Sequence, residues 1–193
     1  MKNEKKFIKY GKLLKGLIHN LNSPLMGLSG RIELLQMKVQ DEKSFNQINS
    51  QLEKINTMLK HTAYLLDKDH TNSVMDVDIS FLLENYFGFL YTDMRFKHQV
   101  EKELNFESHT INTNPSEIVN CLHDIIDYLL DYIDDESKLT VRNEKNIIYL
   151  TLQVGDKLSD KIDLDEFIAK NIEHKFHIEN SIETNKVNVK IIL

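Results

Sequence analysis

A single cysteine, Cys121, rules out an intrachain disulfide framework. That usage suits a reducing compartment, and the expected localisation is cytoplasmic. No apolar run approaches the roughly 20 residues that cross a bilayer, so no membrane partner is expected. The start, Met1-Lys-Asn-Glu-Lys-Lys, lacks the apolar core and cleavage site of a secretory leader. Glycine is scarce and unevenly spread. Gly11, Gly16, Gly27 and Gly30 crowd the first segment, and only Gly88 and Gly155 follow. The second half is therefore poor in glycine. His61 and His70 fall late in a helix and in a linker. His174 and His177 have no cysteine or carboxylate partners at metal spacing, so no metal site is expected.

What is present is an ordinary globular composition over 193 residues, 41% hydrophobic and 28% charged. The formal charge of −6 hides an asymmetry. Residues 2–38 carry Lys2, Lys5, Lys6, Lys9, Lys12, Lys15, Arg31 and Lys38 against Glu4 and Glu33, a balance of +6 that leaves −12 on the remainder. A basic patch suits nucleic acid, a membrane surface or an acidic protein, and lysines also serve as a plain solvated face. The acidic protein is the option carried forward, and nucleic acid is not expected.

The apolar positions Leu14, Ile18, Leu21, Leu25, Leu28, Ile32, Leu35 and Val39 alternate in steps of four and three. That is the seam of a bundle or coiled-coil helix. After a short polar turn the pattern resumes as Ile48, Leu52, Ile55, Leu59, Thr62 and Leu66. Two such helices joined by a short loop pack antiparallel. One hairpin cannot cover both seams together with Leu13, Leu17, Leu34, Met58 and Leu65, so a homodimer forming a four-helix bundle is expected. The hairpin spans residues 1–70, a polar linker residues 71–76, and a second domain residues 77–193.

In the second domain, residues 79–96 read as a helix. Residues 99–106 read as a strand. Asn114-Pro115-Ser116-Glu117 starts a helix that runs to about Ile133. A hairpin around Asn143-Glu144-Lys145, a helix over 164–172 and a closing hairpin across Thr184-Asn185 complete a two-layer α/β sandwich, expected to be the last unit of the chain. The fold class is thus α+β.

On the first helix, His19-Asn20-Leu21-Asn22-Ser23-Pro24-Leu25 resembles the phosphoacceptor box of bacterial histidine kinases. The hairpin resembles that family's dimerisation and phosphotransfer domain, and residues 77–193 resemble its ATP-binding domain in element order. Position 19 is turned about 100° from Ile18 on the seam, which places it on the flank of the bundle. Pro24 frees the carbonyl of Asn20 one turn beyond.

The resemblance implies an asparagine on the long helix of the ATP domain, holding Mg²⁺ at the phosphates, and an Asp-x-Gly-x-Gly loop. The overlay puts Tyr128 at the asparagine position. Gly155-Asp156-Lys157-Leu158-Ser159 stands where the loop belongs, without its glycines. Asp124, Asp127, Asp131, Asp134, Asp135 and Glu136 would repel a triphosphate. Asn20 stands where such kinases commonly carry an acid, and an amide cannot serve as a base.

The expected function is therefore a histidine phosphotransferase of a phosphorelay, with His19 as phosphoacceptor and no cofactor of its own. Neither ATP nor a bound metal is needed, because the partner receiver supplies Mg²⁺. The expected partners are response-regulator receiver domains, met by Asn20, Asn22, Ser23, Met26, Gly27, Gly30 and Arg31. The alternatives are a phosphatase or allosteric pseudokinase that carries no phosphate, with Ser23 helping to hold a water, a non-catalytic dimeric scaffold, and a working kinase with an unusual nucleotide site.

Overall fold

The computed structural model describes residues 16–17, 20–34, 42–69, 73–155, 162–172 and 176–193. Residues 20–34 are helical and form α1. The elements that follow are α2 (Glu42–Asp69), β1 (Met75–Asp78), α3 (Ile79–Leu90), α4 (Met94–His98), β2 (Glu101–Asn105), β3 (Thr110–Thr113), α5 (Pro115–Leu130), β4 (Lys138–Glu144), β5 (Ile147–Gln153), α6 (Leu164–Asn171), β6 (His177–Glu183) and β7 (Lys186–Ile192). The chain is α+β.

The main sheet runs β2-β4-β5-β7-β6. Among the described residues, only β2 and β4 pair in parallel. They are joined by a crossover through β3 and α5, as parallel neighbours require. The other pairs are antiparallel. Strict alternation makes one face apolar: Leu139, Val141, Ile148, Leu150, Leu152, Val187, Val189 and Ile191 are all buried. Against that face lie Leu82, Leu83, Tyr86 and Phe87 of α3 and Leu122, Ile125, Ile126 and Leu129 of α5, all within one core. The opposite face is polar. Thr151 donates to Asn188, which donates to Ser181. Arg142 stacks over Tyr149, its guanidinium carbon 4.1 Å from the ring centre.

Capping explains where the helices begin. The carboxylates of Asp78, Asp93 and Asp163 and the side-chain oxygen of Asn114 accept N–H bonds from the first turns of α3, α4, α6 and α5. Pro115 sits in the first turn of α5, where it gives up no hydrogen bond.

Three local expectations need correction. The helix expected over residues 79–96 breaks at Tyr91-Thr92-Asp93, because Asp93 caps a new helix through Arg95 N (2.8 Å) and Phe96 N (3.4 Å). Residues 75–76, counted as linker, begin β1, which pairs with the unforeseen β3. Asn143 is no turn residue: it is 1% exposed, and its amide clamps Glu107 by accepting from N (2.9 Å) and donating to O (2.8 Å). The turn is Lys145-Asn146, with Lys145 in the left-handed region at φ 53°.

Among the described residues, the sandwich is met both by α2 and by residues at and just before the start of α1. On α2, His61 lies against Gly88 of α3, where a Cβ would overlap the imidazole. Tyr64 meets Phe81 edge to face at 5.1 Å. Four residues before α1, Gly16 lies against the Thr92 carbonyl, which a Cβ would overlap. Among the described residues, no helix is long and apolar enough to cross a membrane.

Candidate functional site

His19 lies outside the described residues, and the site is built from the turns that follow it. Residues 16, 17, 20 and 24 are buried, and at 3.6 residues per turn they share one side of a helix. Asn20 is 6% exposed. Its Nδ2 donates to the Tyr91 carbonyl at 2.8 Å, and its Oδ1 accepts from Lys97 Nζ at 2.6 Å. A carbonyl needs a donor and an ammonium needs an acceptor, so the amide satisfies both ends only in this orientation. Asn20 is therefore committed within the chain, where the sequence reading had it facing a partner.

The other candidates divide. Asn22, Ser23, Met26 and Gly30 are exposed, Met26 to 75%. A Cβ on Gly30 would meet nothing within 4 Å. Gly27 is exposed but borders α2, where a Cβ would stand 3.8 Å from Gln51 Cγ. Arg31 is half-buried.

The helix seam is only partly covered. Leu25 and Ile32 on α1, with Leu52 and Leu59 on α2, are each 45–49% exposed. The fully buried side of α1 near the motif is the one turned to the sandwich, not the heptad seam.

In the sandwich, the side of α5 near α6 carries packed aromatic rings. Tyr128 stacks on Phe167 of α6 at 4.0 Å and 18°, and Tyr132 meets Tyr128 edge to face at 5.1 Å. Tyr132 donates to the Tyr128 hydroxyl (3.2 Å), which donates to the Asp163 carbonyl (3.4 Å). Burial, then the Tyr132 hydroxyl bond, pushes the Tyr128 phenol up to about 12.

The acidic row on α5 is less bare than its sequence implies. Arg95 pairs with Asp93, Asp127 and Asp131. Burial pushes the Asp93 carboxyl up, but hydrogen bonds and charge from Arg95 outweigh it and hold the group below its usual range. Asp134 accepts from Gly155 N at 3.0 Å. The negative charge of this row is thus partly cancelled within the chain.

Two groups are buried without a role in this surface. Burial pushes the Cys121 thiol up to about 12, helped by Asp124. Burial raises the Tyr86 phenol well above its ordinary value, and its oxygen lies 3.4 Å from His123 Nδ1. Among the described residues, no three His, Cys, Asp or Glu side chains gather as a metal site.

Sequence reasoning missed Lys97, Tyr91, Thr92 and Gly16 as a group. Gly16 alone carried a signal, as a glycine one turn before His19.

No family model matches the sequence, and no curated protein matches it. Solved structures do. The histidine kinase AdeS of Acinetobacter baumannii matches at 18% identity over 90% of this chain and 95% of its own, TM-score 0.44. A bacterial phosphotransferase matches at 13% over 96% of each chain, TM-score 0.46. The cytoplasmic segment of the histidine kinase QseC matches at 17% over 79% of this chain and 96% of its own, TM-score 0.47. The structural neighbours are thus histidine kinase domains and a phosphotransferase.

Proposed function

We propose that this chain is a dimeric histidine phosphotransferase, taking a phosphoryl group from one response-regulator receiver onto His19 and giving it to another. α1 and α2 form an antiparallel hairpin, and two hairpins close a four-helix bundle over the half-open seam of Leu25, Ile32, Leu52 and Leu59.

The observation that carries the reading is the open flank beside the motif. Asn22, Ser23, Met26 and Gly30 are exposed. By sequence spacing, position 19 falls on their side of the helix, three, four, seven and eleven residues before them. A receiver seated there meets small and flexible side chains, with Gly30 leaving room for backbone approach. The basic balance of residues 2–38 favours the acidic pocket of a receiver.

The chemistry asked of this chain is modest. A neutral ring nitrogen of His19 attacks the phosphorus of an aspartyl phosphate. The N–P bond forms as the P–O bond to the aspartate breaks, the carboxylate leaves on the receiver, and the other ring N–H gives its proton to solvent. Mg²⁺ on the receiver spreads the charge of the transferring group. Presentation in line is the contribution of the helix. ATP is not the donor in this reading: Tyr128 and Phe167 occupy one another across α5 and α6, and no glycine loop follows β5.

The test uses His19→Ala beside the wild type, each incubated with a receiver carrying labelled aspartyl phosphate. Wild-type label uptake that His19→Ala abolishes supports relay. Loss of receiver label with none retained on the wild type, and equally by His19→Ala, identifies a phosphatase. Receiver binding with no change in its label identifies a scaffold.

A further inference from the structure

The contact between α1 and the sandwich joins the one amide next to the phosphoacceptor to a lysine 77 residues away. It rests on three independent observations. Asn20 is hydrogen-bonded at both ends, to the Tyr91 carbonyl and from Lys97 Nζ. Gly16, one turn earlier, is close enough to the Thr92 carbonyl that any side chain would collide with backbone. Leu17, between them, is buried. The receiving surface is itself braced. Lys102 donates to the Lys97 carbonyl at 2.9 Å, with its ammonium over the rings of Phe96 (5.3 Å) and Tyr91 (5.5 Å). The break before α4 exists because Asp93 caps that helix, and the break is what turns the Tyr91 carbonyl outward to meet Asn20.

From this geometry, and resting on the phosphotransfer reading above, we infer that Asn20 is a positioning residue. Its amide latches α1 to the loop between α3 and α4 and to α4, and so fixes the rotation of the helix that presents His19 to a receiver. The latched side carries residues 16, 17, 20 and 24. The open side carries Asn22, Ser23, Met26 and Gly30. A helix turns 100° per residue, so holding one side against the sandwich sets the direction of the other. The second domain then has a function without a nucleotide: it is the frame that orients the phosphoacceptor turn. A surface amide would leave α1 free to roll about its own axis, because the seam of α1 is only half covered within the chain. The joint is also not perfectly satisfied. The buried Thr92 Oγ1 has no hydrogen-bond partner among the described residues, so the latch opens more readily than a fully paired contact would.

Asn20→Ala removes both bonds. Asn20→Asp keeps the Lys97 partner but sets an oxygen against the Tyr91 carbonyl. Lys97→Met removes one bond from the other side. Each variant of the full chain is followed by amide hydrogen exchange over residues 20–34 and by the rate of label uptake on His19 at saturating phosphorylated receiver. For Asn20→Ala, exchange over residues 20–34 rises about tenfold, and the saturated transfer rate falls by about the same factor. The receiver concentration giving half-maximal rate and the hydrolysis rate of the phosphohistidine stay unchanged. Asn20→Asp falls between Asn20→Ala and wild type, and Lys97→Met adds nothing to Asn20→Ala, as expected of one shared interaction. Faster exchange with an unchanged saturated rate makes the joint merely structural and overturns the inference, as does unchanged exchange in Asn20→Ala. A wild-type chain that takes up no label overturns the phosphotransfer reading itself, and with it the positioning role. Label uptake by wild type and Asn20→Ala at equal rates overturns the positioning role alone.

Discussion

Replacing Leu25 by alanine tests the bundle. Full burial of a leucine or isoleucine is worth about 1.5–3 kcal/mol. Leu25 is 48% exposed in the single chain, so covering its open half is worth about 1 kcal/mol. Leu52, Leu59 and Ile32 are open to a similar extent. A symmetric dimer loses each contact twice. Leu25→Ala therefore costs about 2 kcal/mol of association, a roughly 30-fold rise in the dimer dissociation constant. Leu25→Ala combined with Leu52→Ala costs about 4 kcal/mol, near 1,000-fold. Because these side chains are already half in water, the folded sandwich is left intact and its circular dichroism does not change. Sedimentation equilibrium over a range of concentrations reads the constants directly. A wild-type chain that sediments as a monomer at tens of micromolar, or a folded Leu25→Ala chain that associates as tightly as wild type, refutes the bundle.

Three further outcomes follow from the sandwich. Asn143→Ala removes both bonds of a buried clamp on Glu107 and lowers unfolding stability by about 2 kcal/mol in urea titration, with the m-value unchanged. Asp93 has a folded pKa below its ordinary 3.8, so its stabilising contribution is present above that value and is lost as pH falls through the lower folded one. Asp93→Asn should flatten the loss of stability between about pH 5 and pH 2 relative to wild type. Cys121 is buried, with its thiol pushed up to about 12. It should react with a thiol reagent at pH 8 only as fast as the chain unfolds, and rapidly in denaturant.

How far the sequence could be read depends on which interactions decide each element. Period-2 alternation from Lys138 to Glu144 and from Lys186 to Ile192 is local, and so those strands were legible. The proline after Asn114 marked α5 for the same reason. β3 was missed because its four residues, Thr-Ile-Asn-Thr, gain their pairing only from β1, 35 residues earlier. The break at Thr92-Asp93 was hidden by apolar residues on both sides. Its cause is a single capping carboxylate. Asn143 looked like a turn residue because asparagine usually is one, and only the distant Glu107 backbone explains its burial.

The candidate site divides along the same line. The heptad seam is local, and the half-open Leu25, Ile32, Leu52 and Leu59 lie along it. Exposure of Asn22, Ser23, Met26 and Gly30 followed from helical spacing alone. Asn20 was assigned outward because nothing within its own helix says otherwise. Its partners Tyr91 and Lys97 come from another part of the chain, where no short motif points to them. The acidic row on α5 was read as uncompensated charge because Arg95, on α4, pairs with it only through the fold.

The most direct test of the relay is the fate of a labelled phosphoryl group offered from two donors in parallel. Full-length wild-type chain is incubated with Mg²⁺ and either ATP labelled at its γ-phosphate or a receiver domain labelled at its aspartate. The protein is then digested and the phosphorylated peptide is located. Relay through His19 requires acid-labile, alkali-stable label on the peptide containing His19 from the receiver and none from ATP. Label arriving from ATP, or receiver label that never reaches His19, contradicts it.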